Sequence, residues 1–241
     1  MPELRALVAA AGRGTRAGLP YPKTLHPVQG MPILIRIVEL LAPYDDRPTV
    51  VVSPEGRSPV ADCLEAHGVR AHLVVQPAPL GMGDAVLRFE DSPAACEAEH
   101  VLLVWGDIPF IQSQTVAATV AAHFEQGNVL TFASRNVTVA YTQVVRDSGG
   151  CVTGLVETRE NGVIPGPGER DIGLFVFHKD TVLSALREAV PGRVGRATGE
   201  HGFLYVVGLL AQRGLRVGAV PVATELDLVS LNSLDDLKGH G

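Results

Sequence analysis

Between residues 10 and 23 the chain carries Ala10-Ala11-Gly12-Arg13-Gly14-Thr15-Arg16 and then Pro22-Lys23. Two glycines one residue apart let backbone N–H groups close on an anion, because no Cβ holds the chain away from it. Arg16 and Lys23 add two fixed cations, the complement that a leaving pyrophosphate requires. The chemistry such a stretch supports is reaction at a phosphate chain. Ala10, Ala11, Gly12, Arg13, Gly14 and Thr15 would cradle the nucleotide phosphates while Arg16 and Lys23 neutralise charge.

The same letters fit other readings less well. Gly12-x-Gly14-x-x-Ala17 satisfies the loose dinucleotide fingerprint, but that fingerprint must open a helix at once. Here Pro20, Pro22, Pro27 and Pro32 follow, and a helix does not carry so many prolines. No Gly-Lys-Ser/Thr follows the glycines, so a Walker loop is absent. An ordinary glycine turn accounts for Gly12 and Gly14, but not for Arg16 and Lys23.

The motif resembles the signature of the sugar-phosphate nucleotidyltransferases, in particular the uridylyltransferase half of the N-acetylglucosamine-1-phosphate uridylyltransferases. Their Leu-Ala-Ala-Gly-x-Gly-Thr-Arg, then Pro-Lys-x-Leu-His, is matched by Ala9 to Arg16 and by Pro22-Lys23-Thr24-Leu25-His26. The resemblance implies transfer of a nucleoside monophosphate from a nucleoside triphosphate, UTP favoured, to a sugar 1-phosphate or related phosphate. It also implies Mg²⁺. Asp107, in Val104-Trp105-Gly106-Asp107-Ile108-Pro109, ends a buried run where an aspartate could hold the metal or simply form a turn. The family's Gly-Asp-x-Pro makes it a metal ligand. Asn232, in Leu231-Asn232-Ser233, matches the family's second ligand; it could equally cap a helix, and Asp227 is an alternative oxygen donor. Asp235 and Asp236 read as a solvated first turn.

Gln76-Pro77 and Leu80-Gly81-Met82-Gly83 resemble the family's base-recognition segment, so Gln76 and Gly81 are expected at the nucleobase. An amide can meet a pyrimidine edge in either orientation. Thr153-Gly154-Leu155-Val156-Glu157 resembles the segment whose glutamate binds sugar hydroxyls, which gives Glu157, with Tyr141 and Asp171, an acceptor-binding role. Departures from the family gather here. Ala140-Tyr141-Thr142 stands for Gly-Tyr-Gly and Asp171 for an asparagine, while in the base-recognition segment Met82 stands for a threonine, which loses a hydroxyl and argues less for uracil specifically. Lost or gained polar partners change specificity strongly, so an acceptor other than N-acetylglucosamine 1-phosphate is expected. Glu200 resembles a family glutamate and has no role here beyond capping.

Positioning these residues requires a sheet edge. Apolar runs at Leu4–Ala10, Thr49–Val52, His72–Val75, Val101–Trp105, Val129–Ala133, Leu174–His178 and Leu215–Val222 read as strands. Helical patterns lie at Ile33–Leu41, Val60–Ala66, Gly83–Phe89, Ser113–Phe124, Asp180–Ala189, Gly202–Arg213 and Ser233–Leu237. Continuous apolar strands separated by helices predict an α/β, Rossmann-like, mostly parallel sheet with helices on both faces. Tyr141–Arg146, Ser148-Gly149-Gly150 and Val152–Thr158 predict an antiparallel hairpin, and the Gly/Pro-rich stretch 161–170 a loop. The expectation is one nucleotidyltransferase domain over 1–241, with 136–172 as a substrate-binding hairpin and loop insertion.

Composition agrees. The 241 residues are 46% hydrophobic, enough for a sizeable core, and the net charge of −6 argues against a nucleic-acid-coating protein. No hexapeptide repeat is present, so the β-helical acetyltransferase half of the bifunctional enzymes is not expected in these residues. Cys63, Cys96 and Cys151 show no ligand spacing and are expected to be small buried residues. The eight histidines form no metal pair. The leading apolar run is too short for a signal or membrane span, which predicts a cytoplasmic protein without a membrane partner. Its expected partners are a nucleoside triphosphate and a small phosphorylated acceptor. A cytidylyl- or thymidylyltransferase, a non-catalytic nucleotide-binding relative and, least of all, an oxidoreductase remain as alternatives.

Overall fold

The computed structural model describes residues 3–239 except Arg13, Thr15 and Arg16. Its strands are β1 (Leu4–Ala9), β2 (Pro27–Val28), β3 (Met31–Pro32), β4 (Thr49–Val52), β5 (His72–Val75), β6 (His100–Trp105), β7 (Leu130–Ala140), β8 (Thr142–Arg146), β9 (Val152–Glu157), β10 (Gly166–His178) and β11 (Val217–Val220). The helices are α1 (Ile33–Leu41), α2 (Arg57–Ala66), α3 (Met82–Leu87), α4 (Ser113–Gln126), α5 (Lys179–Arg187) and α6 (Tyr205–Gln212).

Seven strands form one sheet in the order β11-β7-β10-β6-β1-β4-β5. β1, β4, β5 and β6 are mutually parallel, and β10 runs antiparallel to both β6 and β7. Successive residues of a strand face opposite sides, and both sides are apolar. Val8, Val50, Val104 and Val176 face a core closed by Ile33, Leu34, Ile37 and Leu41 of α1, Val60 of α2 and Val116 of α4. Leu7, Val51, Leu103, Phe175 and Phe177 face a second core, closed by Val86 of α3, Leu183 of α5 and Val207 of α6. Near-continuous apolar strands thus exist because helices cover both faces.

Because β1, β4, β5 and β6 run in one direction, the segments that follow them emerge at one edge, where a crevice forms outside the strand ends. Ala10 N donates to Val51 O at 2.8 Å, Gln76 N to Val52 O at 2.8 Å and Gly106 N to Ala9 O at 2.9 Å. The phosphate-type loop, the Gln76 segment and the Gly106-Asp107 turn are therefore held at that edge by ladder-like bonds.

Several local expectations change. The stretch 161–170 is a loop only as far as 165; Gly166 to Arg170 belong to β10 and pair with an extended β7, Gly166 opposite Ala140 and Arg170 opposite Arg135. Glycine and proline content suggests a loop locally, but pairing with a partner strand overrides it. β8 and β9 form the expected hairpin, separate from the main sheet. An unforeseen hairpin, β2 with β3, turns at Gln29 and Gly30 with φ of 51° and 80°. Cys96 and Cys151 are exposed rather than buried, Cys96 in a 3-10 turn and Cys151 at the tip between β8 and β9; Cys63 is half-buried. Residues 234–237 make a 3-10 turn, with Ser233 and Asp236 forming a capping box.

Candidate active site

Among the described residues the first α-helix after β1 is α1, which starts at Ile33, well beyond the point where a dinucleotide site would open its helix. Pro22 instead starts a 3-10 turn over Lys23–Leu25. The glycines are needed for this path. Gly14 has φ +76°, and a Cβ there would stand 2.7 Å from Tyr21 O. A Cβ on Gly12 would stand 3.3 Å from Lys23 Cε, so the loop runs directly beside the lysine side chain. Ala10 spends its N–H on Val51, which removes it as a phosphate donor and leaves it the role of anchoring the loop. Ala11, Gly12 and Gly14 donate to no described residue, and their N–H groups are available to an anion. Arg13, Thr15 and Arg16 lie outside the described residues.

Lys23 Nζ donates to Asp107 Oδ2 at 2.6 Å, with about a fifth of each side chain exposed. The sequence-predicted cation and the sequence-predicted metal ligand thus share one corner, at the ends of neighbouring strands β1 and β6. Leu231 N donates to Asp107 O at 2.8 Å, which brings Asn232 to the same corner. Asn232 is exposed; its Nδ2 donates to Ser230 Oγ at 2.9 Å and its backbone N to Asp236 Oδ2 at 2.9 Å. A carboxylate and an amide oxygen are hard donors suited to Mg²⁺, which binds few protein ligands and completes its shell with water and phosphate oxygens. Among the described residues no group of three His, Cys, Asp or Glu could hold a metal. Asp227 is excluded as an alternative ligand. It is fully buried and accepts from Gln112 N, Thr115 Oγ1, Thr224 N and Thr224 Oγ1 at 2.7, 3.0, 2.7 and 2.7 Å. Its carboxylate is spent on tying α4 to the segment after β11.

Gln76 follows β5 and is 4% exposed. Its Nε2 donates to Gly81 O at 3.0 Å and to Asp84 Oδ2 at 2.9 Å. Gly81 has φ +106°, and a Cβ there would stand 2.5 Å from His201 O. A Cβ on Gly83 would stand 2.2 Å from Gly202 O. The Gly-x-Gly spacing therefore serves close passage of a second segment. His201 N donates to Leu80 O at 2.6 Å and Gly83 N to His201 O at 2.9 Å. His201 is the site-forming residue that sequence reading missed; the paired glycines were the signal that another backbone lies close.

On the other side of Asp107, Glu157 ends β9 half-buried and pairs with Arg159 at 2.8 Å. Burial pushes its carboxyl above the ordinary carboxylate range. Tyr141 is 61% exposed, with the Arg170 guanidinium 5.9 Å from its ring centroid. Asp171 does not fit the acceptor-binding role. It is 1% exposed, and its oxygens accept from Thr142 Oγ1 at 2.6 Å and Gly173 N at 3.0 Å. Burial raises its pKa. The side chain secures β8 to a kink in β10, and a buried carboxylate committed in this way offers little to a ligand. Glu160, unassigned from sequence, accepts from Ala197 N at 2.7 Å and so fastens the 193–200 loop to the turn after β9.

Comparison with known proteins agrees with this architecture. The family description "MobA-like NTP transferase domain" matches residues 6–200. "Bifunctional protein GlmU" of Thermobifida fusca is 33% identical over 237 residues, covering 93% of this chain and 47% of the relative. The GlmU of Leifsonia xyli is 32% identical over 227 residues, covering 91% and 45%. The chain spans about half the length of the curated relatives it matches. A structure assigned as a glucose-1-phosphate thymidylyltransferase from Bacillus anthracis superposes with TM-score 0.73 at 17% identity, covering 91% of this chain and 87% of that one. The inositol-1-phosphate CTP transferase of T. maritima superposes with TM-score 0.75 at 19% identity, covering 99% and 92%. At these identities the structural likeness is one of fold. Among the described residues no helix is long and apolar enough to cross a membrane.

Proposed function

The chain belongs to the MobA-like NTP transferase domain family, and on that premise we propose that it transfers a nucleoside monophosphate from a nucleoside triphosphate to a sugar 1-phosphate or related phosphate. UTP is the favoured donor. The observation that carries the reading is the Lys23–Asp107 pair at 2.6 Å, set beside the open N–H groups of Ala11 and Gly12.

The strand order supports a division of labour. β5, β4, β1 and β6 stand side by side, and neighbouring strands lie about 4.8 Å apart. Gln76 after β5 and the glycine loop after β1 are therefore roughly 10 Å apart, a separation that suits a base at one and phosphates at the other. Glu157 and Tyr141, on the hairpin side, would face the acceptor, as a carboxylate takes two sugar hydroxyls well.

In the reaction an acceptor phosphate oxygen attacks the α-phosphorus in line. The bond from that phosphorus to the bridging oxygen of the β-phosphate breaks, and pyrophosphate leaves. The nucleophile is already an anion, so no general base is required. The protein's part is placement and charge neutralisation. Lys23 exchanges Asp107 for a phosphate oxygen, Arg16 adds a second cation, and the Ala11 and Gly12 N–H groups orient the chain of phosphates. Asp107 and Asn232 would hold Mg²⁺, which when bound withdraws charge from the phosphates and fixes their orientation.

A matrix of nucleoside triphosphates against sugar and polyol phosphates, scored by pyrophosphate release with Mg²⁺, tests the reading. Release confined to a few donor–acceptor pairs is expected. Tight nucleotide binding without release across the whole matrix would overturn catalysis in favour of a binding protein.

A further inference from the structure

Resting on the nucleotide reading above, we propose that Asp84 and Arg88 lock the Gln76 amide with its carbonyl oxygen toward the base, so that the site prefers a pyrimidine carrying hydrogen on N3 (uracil or thymine) over cytosine. The lock is a chain of three side chains. Arg88 Nη2 donates to Asp84 Oδ1 at 3.0 Å, and Gln76 Nε2 donates to Asp84 Oδ2 at 2.9 Å and to Gly81 O at 3.0 Å. Gln76 and Asp84 are 4% and 6% exposed.

An amide's oxygen and nitrogen are hard to tell apart by shape, and their assignment rests on their partners. Here the partners decide it. A carboxylate and a backbone carbonyl only accept. Turning the amide over would set its oxygen against two acceptors inside the protein, whereas the present orientation satisfies both Nε2 hydrogens. Arg88 holds the other oxygen of Asp84, and its own pKa is raised chiefly by that hydrogen bond. Gln76 Oε1 takes no hydrogen bond from a described residue, yet it is not among the buried atoms left without a partner. It therefore reaches solvent at the end of β5, on the sheet edge that also carries the phosphate-type loop two strands away.

An acceptor-only reader needs a donor opposite. The pairing edge of a pyrimidine is centred on N3, which carries hydrogen in uracil and thymine and a lone pair in cytosine. Two facing lone pairs cost the hydrogen bond and leave a buried acceptor unpaired. Asp84 touches no ligand in this arrangement; it is a positioning residue.

Asp84→Asn tests the lock because it keeps shape and reverses one partner. The Arg88 guanidinium would claim the Asn oxygen, and the Asn NH₂ would then face Gln76 and favour the flipped amide, with its own NH₂ toward the base. With an acceptor identified from the matrix, the UTP to CTP ratio of kcat/KM is expected to fall about tenfold or more in Asp84→Asn, mainly through KM. An unchanged or increased ratio in active Asp84→Asn overturns the proposal. A measurement on the wild-type protein does not depend on that variant folding. The two Gln76 Nε2 protons, assigned by their loss in Gln76→Glu, are expected to exchange slowly in ¹⁵N spectra and to keep their partners when UTP binds. Fast exchange, or transfer of either proton to the base, overturns the lock. If no nucleotide releases pyrophosphate with any acceptor, the transferase reading fails separately, and the proton protection still decides the orientation.

Discussion

Lys23 Nζ and Asp107 Oδ2 meet at 2.6 Å across 84 residues of sequence, one from the turn after the first glycine loop and the other from the end of β6. The pair joins the segments that follow the neighbouring strands β1 and β6, at the edge where Ala11 and Gly12 leave their N–H groups open. In this state each charge satisfies the other. On the proposed reaction, nucleotide would separate them, giving the lysine a phosphate and freeing the carboxylate.

Lys23→Ala and Asp107→Ala are each expected to lower turnover by about 10²–10³-fold, the usual cost of removing one charge-stabilising group from a phosphoryl or acyl transfer site. Both side chains are only about one-fifth exposed, so removing one partner leaves the other charge partly buried and costs some stability as well. Denaturant midpoints should fall, yet both variants should remain folded in the assay. Pyrophosphate release and urea unfolding on the same preparations check this, and near-normal turnover in either variant would defeat the mechanism.

Chelation of divalent ions is expected to abolish pyrophosphate release while leaving the far-UV circular dichroism unchanged. The donor set proposed for the ion, Asp107 and Asn232, sits outside the two apolar cores and supports no fold element alone. Restored turnover on adding Mg²⁺ completes the test. Undiminished release in excess chelator would remove the metal from the reaction.

Asp227→Ala is expected to cost about 3 kcal/mol or more of stability, since four donors from three residues in two segments lose their acceptor inside the protein. Asp227→Asn should leave Mg²⁺ affinity unchanged in the folded protein. Equilibrium unfolding and metal titration together separate this structural role from ligation.

Asp171→Ala is expected to lower stability by about 2 kcal/mol, because the Thr142 hydroxyl and the Gly173 N–H are left unpaired beneath the hairpin. Asp171→Asn keeps an acceptor oxygen and should hold the acceptor KM within a few-fold. A large acceptor-specific KM change in a stable Asp171→Asn protein would return this residue to the binding surface.

Stability should fall as pH drops from about 6.5 toward 4. His123 is 1% exposed, bonded to Thr131 Oγ1 and facing His100, and burial with that neighbour lowers its pKa to about 4. Between these values the unfolded chain binds a proton that the folded chain refuses, so each pH unit removes up to about 1.4 kcal/mol. His100 is lowered as well, by burial first and then His178. Urea midpoints at pH 7, 6, 5 and 4 check the slope, which His123→Gln should reduce.

Much of the fold was legible because its strands are buried on both faces. Such strands announce themselves as short β-branched runs, and Thr49–Val52, His72–Val75 and helix Ile33–Leu41 fall where those runs and their helical periodicity indicated. The reach of β10 to Gly166 was not legible, because glycine and proline discourage a strand that only an extended β7 stabilises. In the site, Lys23 and Asp107 could be named from motif spacing. The burial of Asp171 was not legible, because sequence gives a residue's type and not its exposure, and an aspartate with both oxygens engaged looks the same as a free one.

The sequence alone determined the inventory: a glycine loop, cations a fixed distance beyond it, an aspartate closing an apolar run, and an amide before a second pair of glycines. Local chemistry dictates each of these, since φ preference, periodicity and turn propensity act over a few residues. Tertiary structure alone decided which of those groups face one another. It paired Lys23 with Asp107, spent Asp171 and Asp227 on the interior, and set Gln76 between two acceptors, because strand order and burial are consequences of the whole chain packing at once.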